Sequence, residues 1–304
     1  MHKTIFSSIA LLLFTFFSLN LHAQGCSDAG FCTLNNFKPA APESEEVFYN
    51  HLKAGISYGA ADYDIAVLGT YFEYGHQINK KLSAEAKITT LYQQNENVKA
   101  FGFSDVYLSA GYALNEHFRL TLGAKLPLND GNRLIEETVV PMDFQSSLGT
   151  IDAIAGISWQ YKKLQATLAL QQPLTQNNNQ FLEEKLVGNS VFNDFQSSRL
   201  FKRSGDLMLR VSYAFALGSK FRLTPAILPI YHLANDEYTD DAGIQRVIEG
   251  SQGLTLNSNL FLDYQISEQH NLQLTAGAPF MVRDARPDGL TRSFVAGLEY
   301  KFRF

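Results

Sequence analysis

One short segment carries a motif of nucleophilic catalysis. Gly55-Ile56-Ser57-Tyr58-Gly59 matches G-x-S-x-G, in which a serine stands at a sharp turn between a strand and a helix. No helical pattern follows the motif in this chain. We therefore attribute the match to chance and expect no α/β-type hydrolase.

The histidines and loop carboxylates form no recognisable metal site. The acidic loops at 129–148 and 235–251 miss the D-x-[DN]-x-[DN]-G calcium pattern, so a solvated surface is the simpler interpretation. The following histidines stand singly and outside H-E-x-x-H spacing: His51, His76, His117, His232 and His270. The sequence predicts no metal, no cofactor and no enzyme.

The two cysteines lie close together near the N-terminus. Cys26 and Cys32 are the only cysteines, and five residues separate them. In an oxidising compartment this spacing permits a small disulfide loop. Two free thiols, or a lipid-modified Cys26, remain open alternatives.

Twelve further charged residues recur at every second position of apolar segments. In 118–128, Phe118, Leu120 and Leu122 share one parity, while Arg119 and Lys125 share the other. A period of two indicates β-strands with one apolar and one polar face. We predict that the polar face lines a pore through these residues: Glu73, Glu85, Lys87, Asp105, Arg119, Lys125, Asp152, Asp206, Arg210, Arg222, Asp263 and Glu299. Mixed signs of this kind more often cross-link a wall than select an ion.

The spacing of these segments predicts the fold. Alternating segments lie at 51–58, 66–78, 82–93, 102–114, 118–128, 149–161, 164–174, 205–217, 221–234, 252–266, 271–282 and 292–304. Most approach the roughly ten residues that a tilted strand needs to cross hydrocarbon. Tight polar turns such as 79–81 and 115–117 alternate with longer links such as 129–148 and 175–204. This predicts an all-β, transmembrane antiparallel up-and-down β-barrel of about 12 strands, with short periplasmic turns and long extracellular loops.

Composition favours this barrel over soluble β folds. Charged residues make up only 18% of the chain, below the usual quarter, whereas 23 Phe and 14 Tyr are present. A soluble sandwich or lipocalin-like barrel could not bury so many charges in its core, and a propeller would not need an apolar outer face on its strands. The formal net charge of −5 gives no basic footprint for nucleic acid.

The N-terminus indicates export. Lys3, the apolar run 9–17 and the Leu21-His22-Ala23 cleavage region are typical of a signal peptide over residues 1–23. We expect residues 24–50 to form a periplasmic arm or plug and residues 51–304 to form the barrel, in the outer membrane of a Gram-negative bacterium. The cleavage region and Asn-rich loops also resemble exported proteins of the Bacteroidetes type.

Two resemblances extend this interpretation. The alternating strand that ends at Phe304 resembles the C-terminal signature handled by the barrel-assembly machinery. SDVYLSAGYAL, a three-residue turn and FRLTLGAKLPLNDG resemble outer-membrane transporters of the meta-pathway of phenol degradation, and Gly205-Asp206 repeats their opening element. Those transporters are similar to channels for fatty acids and aromatic hydrocarbons, which carry an N-terminal plug. Ser104 and Asn129-Asp130 depart from the family pattern.

These observations predict a channel for passive uptake of small, amphipathic or hydrophobic solutes. Its expected partners are outer-membrane lipid and lipopolysaccharide, the barrel-assembly machinery and a small-molecule solute. A non-conducting barrel that anchors a complex or displays 175–204 for recognition is the alternative. An outer-membrane lipid hydrolase ranks third, because no histidine is followed by a serine two residues later.

Overall fold

The computed structural model describes residues 34–39, 49–186, 188, 190–290 and 292–304. The predicted signal peptide, the Cys26–Cys32 bridge and much of the predicted arm lie outside the described residues. Within the described part of the chain, no helix is long and apolar enough to cross a membrane.

Twelve antiparallel strands form one closed barrel. They are β1 (Asn50–Ala61), β2 (Ala66–Gln77), β3 (Leu82–Gln94), β4 (Lys99–Ala113), β5 (Phe118–Pro127), β6 (Asp152–Tyr161), β7 (Leu164–Pro173), β8 (Asp206–Tyr213, continued by Phe215–Leu217), β9 (Phe221–His232), β10 (Gly253–Gln265), β11 (His270–Met281) and β12 (Arg292–Arg303). Lys53 on β1 stands opposite Glu73 on β2 and Lys301 on β12. Because the first and last strands pair, that edge of the sheet is closed.

One end of the barrel carries the predicted tight turns, which asparagines stabilise. Asn79 Oδ1 accepts the N–H groups of Lys81 and Leu82 at 2.9 and 3.0 Å. Asn115 Oδ1 accepts those of His117 and Phe118 at 2.9 Å each. These side chains imitate backbone turns, which is why asparagine favours such positions. We call this end the turn end and the opposite end the loop end.

The loop end differs in detail from the prediction. Residues 128–151, 174–205, 233–252 and 282–291 are long connections, as expected. The other two, predicted as 59–65 and 94–101, shorten to 62–65 and 95–98, because the strands extend further. Asn95 explains the second case, since its Oδ1 accepts the N–H of Asn97 at 3.0 Å and of Val98 at 2.8 Å.

The two faces of each strand differ sharply in polarity. On β5, Leu122 is 67% exposed, whereas Thr121 and Lys125 are 1% and 2% exposed. Phe280 on β11 is 71% exposed. An apolar outer surface around a polar interior is the arrangement of a membrane barrel.

The long connections pack into an apolar layer over the loop end. Rings of Phe144, Phe181, Phe192 and Phe195 meet with centroids 5.7 to 6.1 Å apart. A second buried cluster joins Met142, Leu148, Phe201 and Ile248. Two short hairpins extend this layer: Leu134–Ile135 with Thr138–Val139, and Asp236–Thr239 with Gln245–Ile248. Packed aromatic side chains of this kind hold loops in one arrangement.

Candidate functional site

All of the predicted pore-lining residues lie on the inner parity of the barrel strands. Arg119 and Arg222, close to the turn end, are half-buried. The others are buried: Glu73, Glu85, Lys87, Asp105, Lys125, Asp152, Asp206, Arg210, Asp263 and Glu299. That they line a conducting pore remains a prediction.

The predicted set omits several charged groups of the interior. Lys53, Lys301 and Arg303 share the same inner parity, so strand alternation alone would have found them. Lys38 also lies inside the barrel, although it belongs to no strand. Its position depends on how the N-terminal segment folds back, and no local pattern encodes that.

A first ion-pair group lies in the half of the interior near the turn end. Lys53 Nζ lies 3.2 Å from Glu73 Oε1 and 3.3 Å from Glu299 Oε1. Lys38 Nζ donates to Glu299 Oε2 at 2.7 Å, and the Tyr71 hydroxyl donates to the same oxygen. Lys53 is 2% exposed, so its charge depends on these carboxylates. The group joins β1, β2 and β12 to the segment that carries Lys38.

One set of ligand-type atoms next to this group could geometrically surround a cation. His51, Glu73 and Glu85 each place one such atom within 4.8 Å of the others. However, Lys53 Nζ already lies 3.2 Å from Glu73 Oε1, and Asn35 donates to Glu85 Oε1 at 2.7 Å. Because an ammonium and an amide already occupy these oxygens, we assign them to the ion-pair group.

A second group holds the wall nearer the loop end. Asp152 is fully buried and accepts from Lys125 Nζ at 3.0 Å and from Thr150 Oγ1 at 2.6 Å. The Gln171 side-chain amide donates to Asp152 Oδ2, the oxygen that Lys125 contacts. Asp105 accepts from Ser147 Oγ at 2.6 Å, which attaches loop 128–151 to β4. These contacts cross-link neighbouring strands and one loop.

Residues 34–39 occupy the interior between these walls. Phe37 is fully buried and packs in one cluster with Tyr107, Ile154 and Met208. A Cβ added at Gly156 would lie 2.6 Å from the Phe37 ring, so glycine leaves the space that the ring fills. Asn36 carbonyl accepts from Ser158 at 3.5 Å, and Lys38 carbonyl accepts from Gln165 at 3.2 Å. The segment is therefore bound by several strands on one side of the wall.

A third group, which we call the loop latch, ties three loops to the barrel. It consists of Arg203, Asp206, His232, Asp236, Arg283 and Asp288, all of them buried. His232 Nδ1 lies 2.7 Å from Asp206 Oδ1, and its Nε2 lies 2.8 Å from Asp236 Oδ1. Carboxylates only accept hydrogen bonds, so both ring nitrogens must donate and the ring is an imidazolium. Three cations then balance three carboxylates.

Asp288 joins the two arginines of the latch. Its Oδ2 lies 3.1 Å from Arg203 Nε and 2.9 Å from Arg283 Nη2. Burial alone would raise the pKa of Asp288, but the Arg283 and Arg203 guanidiniums outweigh burial and hold that pKa well below its usual range. Burial likewise opposes the charge of Arg203, and the facing Asp206 and Asp288 nevertheless raise its pKa. Asp288 and Arg203 therefore stabilise each other's charged forms.

A cavity of 190 Å³ lies between Lys38 of this segment and the loops. Lys38 lies at one end, and residues 145–148 and 288–290 of two loops lie at the other. Its walls include both polar and apolar side chains: Tyr71, Lys87, Leu91, Gln93, Asp105, Tyr107, Gln171, Arg210, Asn259 and Phe261. An engineered cavity of about 150 Å³ in another protein binds benzene, so this chamber is large enough for a small organic molecule.

The G-x-S-x-G motif has no catalytic geometry. Ser57 lies within β1, paired with Gly69 on β2 and Gly297 on β12. A nucleophile elbow requires a strand-to-helix turn at the serine, and the strand runs on to Ala61 instead. The motif therefore reflects a glycine-rich strand.

Comparison with known proteins gives structural likeness only. No protein-family model and no curated protein matches the chain. The chain is similar to the solved NanC porin, with 10% identity over 84% of this chain and 98% of that one and a TM-score of 0.45. It is also similar to the translocator domain of autotransporter NalP from Neisseria meningitidis, with 9% identity over 86% and 90% and a TM-score of 0.45. The toluene transporter TbuX of Ralstonia pickettii gives 10% identity over 85% and 90% and a TM-score of 0.41.

These identities are too low to transfer a function, and the three proteins differ in their tasks. The resemblance to the phenol meta-pathway transporters finds no matching family model. It remains a prediction.

Proposed function

We propose that the protein is an outer-membrane channel for passive uptake of small amphipathic solutes, and that its N-terminal segment closes the channel. The observation that carries this proposal is the chamber of 190 Å³ inside a closed barrel, bounded by Lys38 on one side and by loop residues 288–290 on the other. A cavity between the N-terminal segment and a layer of loops is suited to a gated path. Its mixture of aromatic, amide and charged walls suits solutes that carry both apolar and polar groups.

The orientation follows from barrel conventions and the predicted signal peptide. The turn end faces the periplasm and the long loops face outward, as in bacterial outer-membrane barrels. Residues 24–50 then enter the barrel from the periplasm and act as a plug of which Phe37 is the anchor. Outer-membrane lipid, lipopolysaccharide outside and the barrel-assembly machinery during insertion are the partners that this orientation implies.

A non-conducting anchor is the second candidate, and one observation favours it. The interior is extensively cross-linked by ion pairs such as Lys125–Asp152 at 3.0 Å, and rigid walls also suit a scaffold. A barrel hydrolase has less support, because Ser57 lies within a paired strand.

Liposome swelling separates channel from anchor. Proteoliposomes would be prepared with the mature chain and with a variant that lacks residues 24–48, which ends just before β1. We expect slow swelling in a small sugar for the mature chain and fast swelling for the shortened one. Absence of swelling with both forms, at equal insertion, would favour the anchor. Release of fatty acid from the phospholipid would instead support the hydrolase.

A further inference from the structure

Arg210 differs from two other buried arginines of the interior, Arg203 and Arg283. Arg203 and Arg283 each pair with Asp288, within 3.1 Å. Arg210 is 3% exposed, yet among the described residues no carboxylate lies within 4.0 Å of it. Its Nη1 donates to the main-chain carbonyl of Phe37 at 2.5 Å, and its buried Nε has no acceptor among the residues that the structure describes. A buried guanidinium without a counterion is costly, so a site of this kind favours an anion.

The chamber adds acceptors whose orientation is fixed. The Gln93 amide nitrogen donates to the carbonyls of Asp143 and Gln145 at 2.5 and 3.3 Å, and that of Gln171 donates to Asp152. The oxygen of each side chain is buried and has no donor within the described part of the chain. These positions match a ligand that carries a hydroxyl group.

The chamber also has an apolar part. Tyr107, Phe261 and Leu290 line it together with Arg210. The Arg210 guanidinium carbon lies 6.0 Å from the Phe261 ring centroid, and Lys87 Nζ lies 3.8 Å from that of Tyr71. Cations held over aromatic faces contribute positive potential to the chamber.

Positive charges outnumber negative charges around the chamber. With Asp288 of the loop latch set aside, four cations line the chamber (Lys38, Lys87, Lys125 and Arg210) against two carboxylates (Asp105 and Glu299). Lys38 and Lys125 already pair with Glu299 and Asp152, at 2.7 and 3.0 Å. The unpaired charge of Arg210 is thus not offset by the groups around it.

We propose that the chamber is a binding site for a small organic carboxylate that carries a hydroxyl group on an apolar body. The carboxylate pairs with Arg210, the hydroxyl donates to Gln93 or Gln171, and the body packs against Tyr107 and Phe261. This inference rests on the proposed channel function and names the class of solute that the channel selects.

Calorimetric titration of the full mature chain in detergent tests the site directly. The probe is 4-hydroxybenzoate, and the neutral isostere 4-hydroxybenzamide is its matched control. We expect the carboxylate to bind on the order of tenfold or more tightly than the amide, because a charge-assisted hydrogen bond is lost with the amide. R210Q should remove that preference, whereas R246Q, at a loop arginine more than half exposed, should retain it.

Three results would overturn the site: no binding of 4-hydroxybenzoate, equal binding of the amide, or an unchanged preference in R210Q. Because binding is measured without transport, it is separate from the swelling assay. Binding without permeation would leave the site standing and remove the channel. Permeation without a preference for the carboxylate would leave the channel standing and remove the site.

Discussion

The Arg210 guanidinium donates a hydrogen bond of 2.5 Å to the main-chain carbonyl of Phe37. One residue of the barrel wall therefore holds the N-terminal segment and also carries an unpaired charge at the chamber. Among the described residues the Nε of the same guanidinium has no acceptor, so an anion at Nε would lie beside the contact that holds Phe37.

Phe37 should be the anchor of the closed state. In F37A the fully buried ring is lost, and large-to-small changes at such positions cost about 3–5 kcal/mol. Because this energy holds the segment and not the strands, we expect a higher open fraction in planar-bilayer recordings with an intact barrel. L122A shortens a lipid-facing side chain that is 67% exposed and should leave conductance unchanged. Equal conductance of F37A and wild type would contradict the anchor.

Lys125 should contribute far more to stability than a surface lysine. K125M leaves the fully buried Asp152 without its cation, and breaking a buried pair in this way costs about 3–5 kcal/mol. The exposed pair of Lys185 and Asp241, with side chains 55% and 62% exposed, contributes about 0–1 kcal/mol. Thermal unfolding in detergent would compare K125M with K185M. Similar midpoints for the two variants would show that Asp152 is already satisfied by Thr150 and Gln171.

His232 should hold the loops over the barrel. H232Q removes an imidazolium that lies 2.7 and 2.8 Å from two carboxylates and leaves Asp206 and Asp236 with too few cations. We expect amide hydrogen exchange in 174–205 and 233–252 to accelerate by about tenfold or more. The partly exposed His117 offers a matched control in H117Q, which should leave these loops unchanged. Unchanged exchange in H232Q would mean that the aromatic layer alone holds them.

Asp288 determines the pH below which the loop latch loses stability. Its pKa is lowered in the folded protein, by Arg283, Arg203 and the nearby His232 against the effect of burial, so its contribution is complete above the unfolded value of about 3.9. That contribution is lost as the pH falls through the lower folded pKa. The protection factor of the amides in 282–290, which is the intrinsic exchange rate at each pH divided by the observed one, should stay constant from pH 7 to about pH 5 and fall only below about pH 4. A loss of exchange protection in 282–290 between pH 7 and pH 5 would show that another group controls the stability of the loop latch.

Strand alternation was sufficient to predict the barrel and the inward charges, because a period of two assigns each side chain to a face wherever the strand lies. Lys125 and Asp152 were found in this way. The position of Phe37 was not accessible from the sequence, since it depends on the space beside Gly156, more than a hundred residues along the chain. The loop aromatics Phe181, Phe192 and Phe195 show no period, so their cluster depends entirely on tertiary packing.

The central claim is that acyl chains surround the outer parity of the strands. Trp159 is the only tryptophan, and it lies on that parity beside Tyr161, with ring centroids 6.3 Å apart. Its fluorescence in proteoliposomes can therefore be read without any substitution. We predict strong quenching by phospholipids brominated in the acyl chain and weak quenching by aqueous acrylamide. Strong acrylamide quenching with no effect of the brominated lipids would contradict the claim and the channel that depends on it.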